Sequence, residues 1–220
     1  MTSLRWQSRS VKPGILPGAD ARWGGLAPRP SILKDDSPPY RGRHGEWPSR
    51  AGPRGMAPGA QSETDMLQQS LKKIVDVLAR KHGLQPAIAW GVCGRESGFD
   101  IGATRYEAGY RWLVRDRRLK PANCSDATEI MMQKTSWGLM QVMGAVLREQ
   151  GFEGWLNQIS CDPAAQVEYG CRHLAKAIRR WGSVEAGLAA YNAGSPRRTA
   201  TGRFVNQHYV DDVMPRRANQ

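Results

Sequence analysis

The chain has 220 residues, a mass of 24.4 kDa, a formal net charge of +12 and a pI near 10.0. That length admits one domain with extensions or two small domains, and the charge points to polyanionic partners: nucleic acid, anionic lipid or an acidic cell-wall polymer. No apolar run of about 18 residues occurs, so no transmembrane helix is expected, and the first ten residues lack the apolar core of a secretory signal.

Residues 1–62 differ in kind from the rest. Nine of the 14 prolines fall there, among dense arginine and glycine, and apolar periodicity is absent. Such a segment buries too little to offset its ordering entropy, so a disordered basic tail is expected. It could hold nucleic acid weakly, engage a partner protein, or act only as a linker or an upstream extension before Met56 or Met66. From Ser62 the texture changes. Ser62-Glu63-Thr64-Asp65 is a capping signal, and Leu67, Leu71, Ile74, Val75 and Leu78 then recur at helical spacing until Gly83.

The next helix carries the main chemical signal. Pro86 suits a first helical position and Gly98 a C-terminal stop. Between them runs a nearly uncharged stretch, Pro86 to Val92, followed by Cys93-Gly94-Arg95-Glu96-Ser97. Glu96 thus falls in the last turn of an apolar helix, where the dipole end disfavours a carboxylate and burial does the same. A carboxyl with its pKa pushed up is what a general acid near neutral pH requires.

Farther on, Arg105-Tyr106-Glu107 and Tyr110-Arg111-Trp112 interleave aromatic and charged groups, as a saccharide groove or a packing cluster would. Asp116 to Thr128 is expected as loop. Thr135 to Gln150 reads as a helix that Ser136 could cap, and Trp155-Leu156 as a short connection. Asp162-Pro163 opens the clearest helix, with Val167, Cys171, Leu174, Ala175 and Ile178 as its buried stripe and Gly182 as its end. Ser183 caps the next, Val184 to Asn192, and a last helix runs from about Arg203 to Met214. The region 63–214 is therefore expected to be mainly α, with no β-hairpin and no internal repeat, followed by a short tail, 215–220. Cys93, Cys124, Cys161 and Cys171 form no C-x-x-C pair, so no zinc or iron–sulfur site is expected, and four reduced thiols are the simplest reading.

Glu96-Ser97, Ser136-x-Gly138-Leu139-Met140-Gln141, Ala190-Tyr191-Asn192-Ala193-Gly194 and Tyr209-Val210 occur in that order. Together they resemble the soluble lytic transglycosylase (SLT) family, which shares the goose-type lysozyme fold. The resemblance covers about 65–214, and the Arg-Tyr-Glu insertion is similar to phage-type and prophage-type members. It implies a helical, lysozyme-like domain that cleaves the β-1,4 link from N-acetylmuramic acid to N-acetylglucosamine in peptidoglycan, with no metal and no cofactor. Glu96 would be the catalytic acid. Ser136 would help position the muramic N-acetyl group, and Gly138, Leu139, Met140 and Gln141 would line the groove floor. Tyr191 and Asn192 would bound the cleavage subsites, and Tyr209 would close the wall behind Glu96. Tyr106 and Glu107 are further candidates for substrate contact. Glu107 has two other readings, a pair with Arg105 and a second acid.

Most glycosidases use two carboxylates, and the matched motifs supply one. Two rivals stay open on the sequence. One is a hydrolytic lysozyme that recruits Glu107 or Asp100. The other is a catalytically inert structural or nucleic-acid-binding virion component. A wall substrate with no export signal implies delivery by a phage particle, a lysis pore or a secretion apparatus.

Overall fold

The computed structural model describes residues 63–215. The basic tail expected at 1–62 and residues 216–220 lie outside the described residues. The fold is mainly helical, as expected, with one small sheet.

Helix α1, Glu63–Lys81, buries Leu71, Val75 and Ala79 on one stripe, while Leu67 faces solvent. Helix α2, Pro86–Ser97, starts on Pro86 and stops where Gly98 turns left-handed at φ 60° and its N–H closes on the Gly94 carbonyl. Its buried residues are Ile88, Ala89, Val92 and Cys93. Helix α5, Pro163–Trp181, is capped by Asp162, which accepts from the Ala165 N–H at 2.9 Å. Helix α6, Val184–Ala193, is capped by Ser183 and returns along α5. The two approach closely because position 187 is glycine: a Cβ there would lie 2.4 Å from Ile178 Cγ1. The last helix, α7, is Gln207–Val213, shorter than expected at its start. It abuts α2 at Gly91, where a Cβ would meet the Val213 carbonyl oxygen at 2.6 Å. Helices α1, α2, α5, α6 and α7 thus enclose a core of aliphatic side chains, with Tyr209 of α7 buried inside it.

The stretch expected as one helix over Thr135–Gln150 is instead strand, turn, strand and short helix. Strand β2, Thr135–Trp137, pairs antiparallel with β1, Thr104–Tyr106, and with β3, Val142–Met143. Helix α4 occupies only Gly144–Glu149. Two backbone positions forbid the expected helix: Gly138 at φ 67° and Gln141 at φ 46°. Ser136 is therefore a buried strand residue and caps nothing. The expected absence of a hairpin is corrected by the β2–β3 ribbon. The loop expected to reach Thr128 ends earlier, at helix α3, Asp126–Gln133, capped by Ser125. The connection at Trp155-Leu156 leads into a 3-10 helix, Leu156–Cys161.

Helices α3 and α4 are locked by a buried ion pair. Arg148 donates from Nε and Nη2 to the two Glu129 carboxylate oxygens at 2.8 and 2.9 Å, and Gln133 adds a bond to Glu129 at 2.9 Å. The remaining guanidinium protons reach the carbonyls of Phe152 and Gly154. Both desolvated charges are thus met by several hydrogen bonds beyond the pair itself, which is the condition for keeping such a pair.

Candidate active site

Glu96 sits half-buried in the last turn of α2, where the sequence placed it. Its Oε1 accepts a hydrogen bond from the Tyr209 hydroxyl at 2.6 Å, so α7 reaches back to α2 across 113 positions of sequence. Burial pushes the Glu96 carboxyl above its ordinary value; the Tyr209 hydroxyl and the charges of Arg95 and Arg105 pull the other way without cancelling it. Burial holds Tyr209 well above the usual tyrosine range, so its hydroxyl remains a donor. With Oε1 accepting from Tyr209, Oε2 is the oxygen left to carry a proton when the carboxyl is protonated.

The wall beside Glu96 is built by the turn between β2 and β3. Ser97 donates from Oγ to the Leu139 carbonyl at 2.9 Å, and Tyr191 from its hydroxyl to the Met140 carbonyl at 2.7 Å. Ser136 donates to Gln141 Oε1 at 2.8 Å, and Gln141 Nε2 binds the carbonyls of Ala103 and Gly138 at 3.0 and 2.9 Å. The side chains of Leu139 and Met140 are fully buried, so they underlie the turn and offer no surface to a ligand. Met140 packs on Gly170 of α5, where a Cβ would approach its sulfur to 2.4 Å.

The other candidates divide. Asn192 is exposed and accepts from Asn206 Nδ2 at 2.9 Å. Arg105 lies opposite Ser136 in register, so these two share a sheet face. Tyr106, the next residue, points to the opposite face and is 55% exposed, so the sheet does not bring it together with Ser136. Glu107 pairs with Arg105, Oε1 to Nε at 2.7 Å. Asp100 folds back to accept from the Gly102 N–H at 2.8 Å.

Two contributors escaped the sequence reading. Gln166, buried on α5, accepts from the Leu139 N–H at 2.8 Å and donates to the carbonyls of Ile101 and Ile159, both at 2.9 Å. Asn206 is buried and donates to the Ala189 carbonyl at 3.1 Å as well as to Asn192. For Gln166 a signal existed: an amide next to Val167, on the side of α5 that carries Gly170, is polar where the stripe is apolar. Nothing short-range marked Asn206.

Among the described residues no group of three His, Cys, Asp or Glu side chains is placed to hold a metal ion. The four cysteines are free, and burial pushes the Cys93 and Cys171 thiols to about 12, which denies either the thiolate a nucleophile needs. What the arrangement offers is a sheltered carboxyl whose pKa burial raises, oriented by a neutral phenol and walled by a hydrogen-bonded turn.

No curated protein and no solved structure matches the chain. The family model described as the transglycosylase SLT domain matches residues 73–208, more than half of the sequence. The match takes in Glu96, the Gly138–Gln141 turn, Gln166 and Tyr191, and stops one residue short of Tyr209. This chain therefore belongs to the transglycosylase SLT domain family.

Proposed function

We propose that this protein is a lytic transglycosylase. It cleaves the β-1,4 bond from N-acetylmuramic acid to N-acetylglucosamine in peptidoglycan and leaves a 1,6-anhydro end. The observation that carries the reading is the Tyr209–Glu96 hydrogen bond at 2.6 Å on a carboxyl that burial pushes above its ordinary value.

Glu96 gives its Oε2 proton to the glycosidic oxygen as the C1–O bond breaks and positive charge develops at C1. The substrate's own acetamide carbonyl stabilises that centre, an alternative to the second carboxylate of most glycosidases. Glu96, now ionised and held by Tyr209, takes the proton from the muramic C6 hydroxyl, whose oxygen closes onto C1. The carboxyl is restored and no water is consumed. Two features favour this route over hydrolysis. One oxygen of Asp100 is engaged with the Gly102 N–H and one of Glu107 with Arg105, which ties both carboxylates to local partners.

In this reading Ser136 and Gln141 fix the wall that faces the muramic N-acetyl group, and Tyr191 and Asn192 border the cleavage subsites. Residues 63–214 form the catalytic unit. The basic segment 1–62 serves attachment, and the enzyme reaches the wall through a phage particle or a lysis pore. No helix among the described residues is long and apolar enough to cross a membrane.

The test is digestion of purified peptidoglycan by the full chain and by Glu96→Gln, with released muropeptides read by mass spectrometry. Products ending in 1,6-anhydromuramic acid, absent with Glu96→Gln, support the reading. Reducing ends, heavier by one water, would replace it with a hydrolytic lysozyme.

A further inference from the structure

A pair of opposite charges stands beside Glu96 without a role in the chemistry above. Alternation along an extended chain puts the side chains of Arg105 and Glu107 on one side, and they close at 2.7 Å from Nε to Oε1. Short bonds fix β1 against the end of α2: Ser97 Oγ to the Leu139 carbonyl at 2.9 Å, the Gly138 N–H to the Ala103 carbonyl at 2.8 Å, and Gln141 Nε2 to the same carbonyl at 3.0 Å. Beyond it, the Glu107 N–H binds the Lys134 carbonyl at 2.8 Å, and Lys134 Nζ returns to the Ala108 carbonyl at 3.0 Å. The Arg105 side chain is 67% exposed and the Glu107 side chain 18%, so the carboxylate is the more firmly seated of the two.

The other titratable and charged groups around Glu96 are matched or neutral. On its own helix, Arg95 pairs with Asp212 of α7 at 3.1 Å, and the Cys93 thiol is held neutral by burial. Tyr209 of α7 and Tyr191 of α6 are phenols that burial keeps protonated. From α5, His173 packs against the Tyr191 ring at 5.3 Å, and the Cys171 thiol is neutral. The strand side contributes Arg105, whose charge favours the Glu96 carboxylate and whose own partner is Glu107.

We infer that Glu107 is a positioning residue for the reaction: by holding Arg105 in a closed pair, it keeps the guanidinium charge from acting in full on Glu96. This rests on Glu96 being the acid. A closed pair acts on a third group as a dipole, and a lone guanidinium as a full charge. If Glu107 loses its charge, Arg105 is free to swing toward Glu96 and favour its ionised form, which cannot start the reaction. If Arg105 loses its charge, the carboxylate that remains favours the protonated form. The two single substitutions therefore act in opposite directions, and the double substitution removes both effects.

The experiment is a set of pH–rate profiles for muropeptide release by the full chain, with Glu107→Gln, Arg105→Gln and the double variant beside the parent. Loss of the protonated acid defines the alkaline limb. Glu107→Gln should move that limb to lower pH by about half a unit, the scale of a screened charge near the surface. Arg105→Gln should move it to higher pH, and the double variant should return it to the parent position. Limbs that move together, or activity lost at every pH in Glu107→Gln with the limb unmoved, would overturn the inference and return Glu107 to substrate contact or acid catalysis. Should Arg105→Gln fail to fold, Arg105→Lys keeps the charge and should leave the limb in place; a limb that moves with it counts against the inference. A 13C titration of the Glu96 carboxyl in the same proteins reads the shifts without turnover. A parent that leaves peptidoglycan uncut would sink the enzymatic reading, and the carbon shifts would still decide the pair.

Discussion

Tyr209→Phe removes one oxygen and leaves everything else of α7 in place. The ring stays in the core, Gly91 still meets the Val213 carbonyl, and Arg95 keeps its contact with the ring face, 5.8 Å from the centroid. What is lost is the 2.6 Å bond to Glu96 Oε1. A hydrogen bond to a group that ionises is worth about 1.5–3 kcal/mol. At about 1.4 kcal/mol per decade, kcat/KM should fall by about tenfold to about a hundredfold. Fold stability should drop by only about 1 kcal/mol, as for an ordinary hydrogen bond. The pH dependence has a definite sign. The hydroxyl favours the Glu96 carboxylate, so its removal drives the carboxyl higher still, and the alkaline limb moves up in pH. Tyr209 does not itself titrate in the assay range, because burial keeps it well above the usual tyrosine value. Muropeptide release is followed from pH 4 to pH 9, with urea unfolding as the control. A variant with the parent rate and an unmoved limb would show that the phenol does not tune the acid, and the assignment of Oε2 as the donating oxygen would fall with it.

Glu96→Gln should abolish activity yet stabilise the fold in neutral solution. The folded Glu96 carboxyl is raised above its ordinary 4.5, so the parent loses stability as the pH rises through the folded value, and glutamine does not. Urea midpoints should coincide near pH 4 and separate in favour of the variant at pH 8; equal midpoints at both would contradict the burial argument. Gly138→Ala would place a Cβ 2.1 Å from Gln166 Cδ at a φ of 67°, and its melting temperature should fall by about 5–10 °C. An unchanged melting curve would mean that the turn does not depend on this approach. Glu129→Gln breaks the buried pair with Arg148 and should cost about 3–5 kcal/mol at pH 7 by chemical unfolding. Burial pushes the Glu129 carboxyl up, but Arg148 and Gln133 outweigh it and leave it below 4.5. Its contribution is therefore present above that value and lost in acid, so the gap between variant and parent should narrow as the pH falls.

The helices were legible where their signals are local. Pro86 and Gly98 bracket α2, and Asp162 and Pro163 start α5, because caps and rings act on the residues beside them. Glu96 could be placed for the same reason. The Ser136–Gln141 stretch misled because its order comes from elsewhere. Gly138 is forced left-handed, its N–H is claimed by Ala103, and Leu139 is claimed by Gln166, 27 residues ahead. An apolar run of this kind reads as helix unless those distant partners are known. Helix α3 was hidden by its neighbours. Pro121 and Asn123 mark a turn strongly and masked the local cap at Ser125, while the partner that holds Glu129, Arg148, lies 19 residues away. The motif residues Leu139 and Met140 look like ligand contacts in a string of letters, but their part is played by their carbonyls, which hold Ser97 and Tyr191.

The acid comes from the second helix of this structure and its phenol from the last. A chain emerging from the ribosome therefore presents Glu96 long before it presents Tyr209. Until the final turns are made, that carboxyl lacks the hydroxyl from which its Oε1 accepts. Closure of α7 onto α2 shelters the group and supplies its partner in one event. On the proposed function, the acid is therefore complete only when the last segment docks.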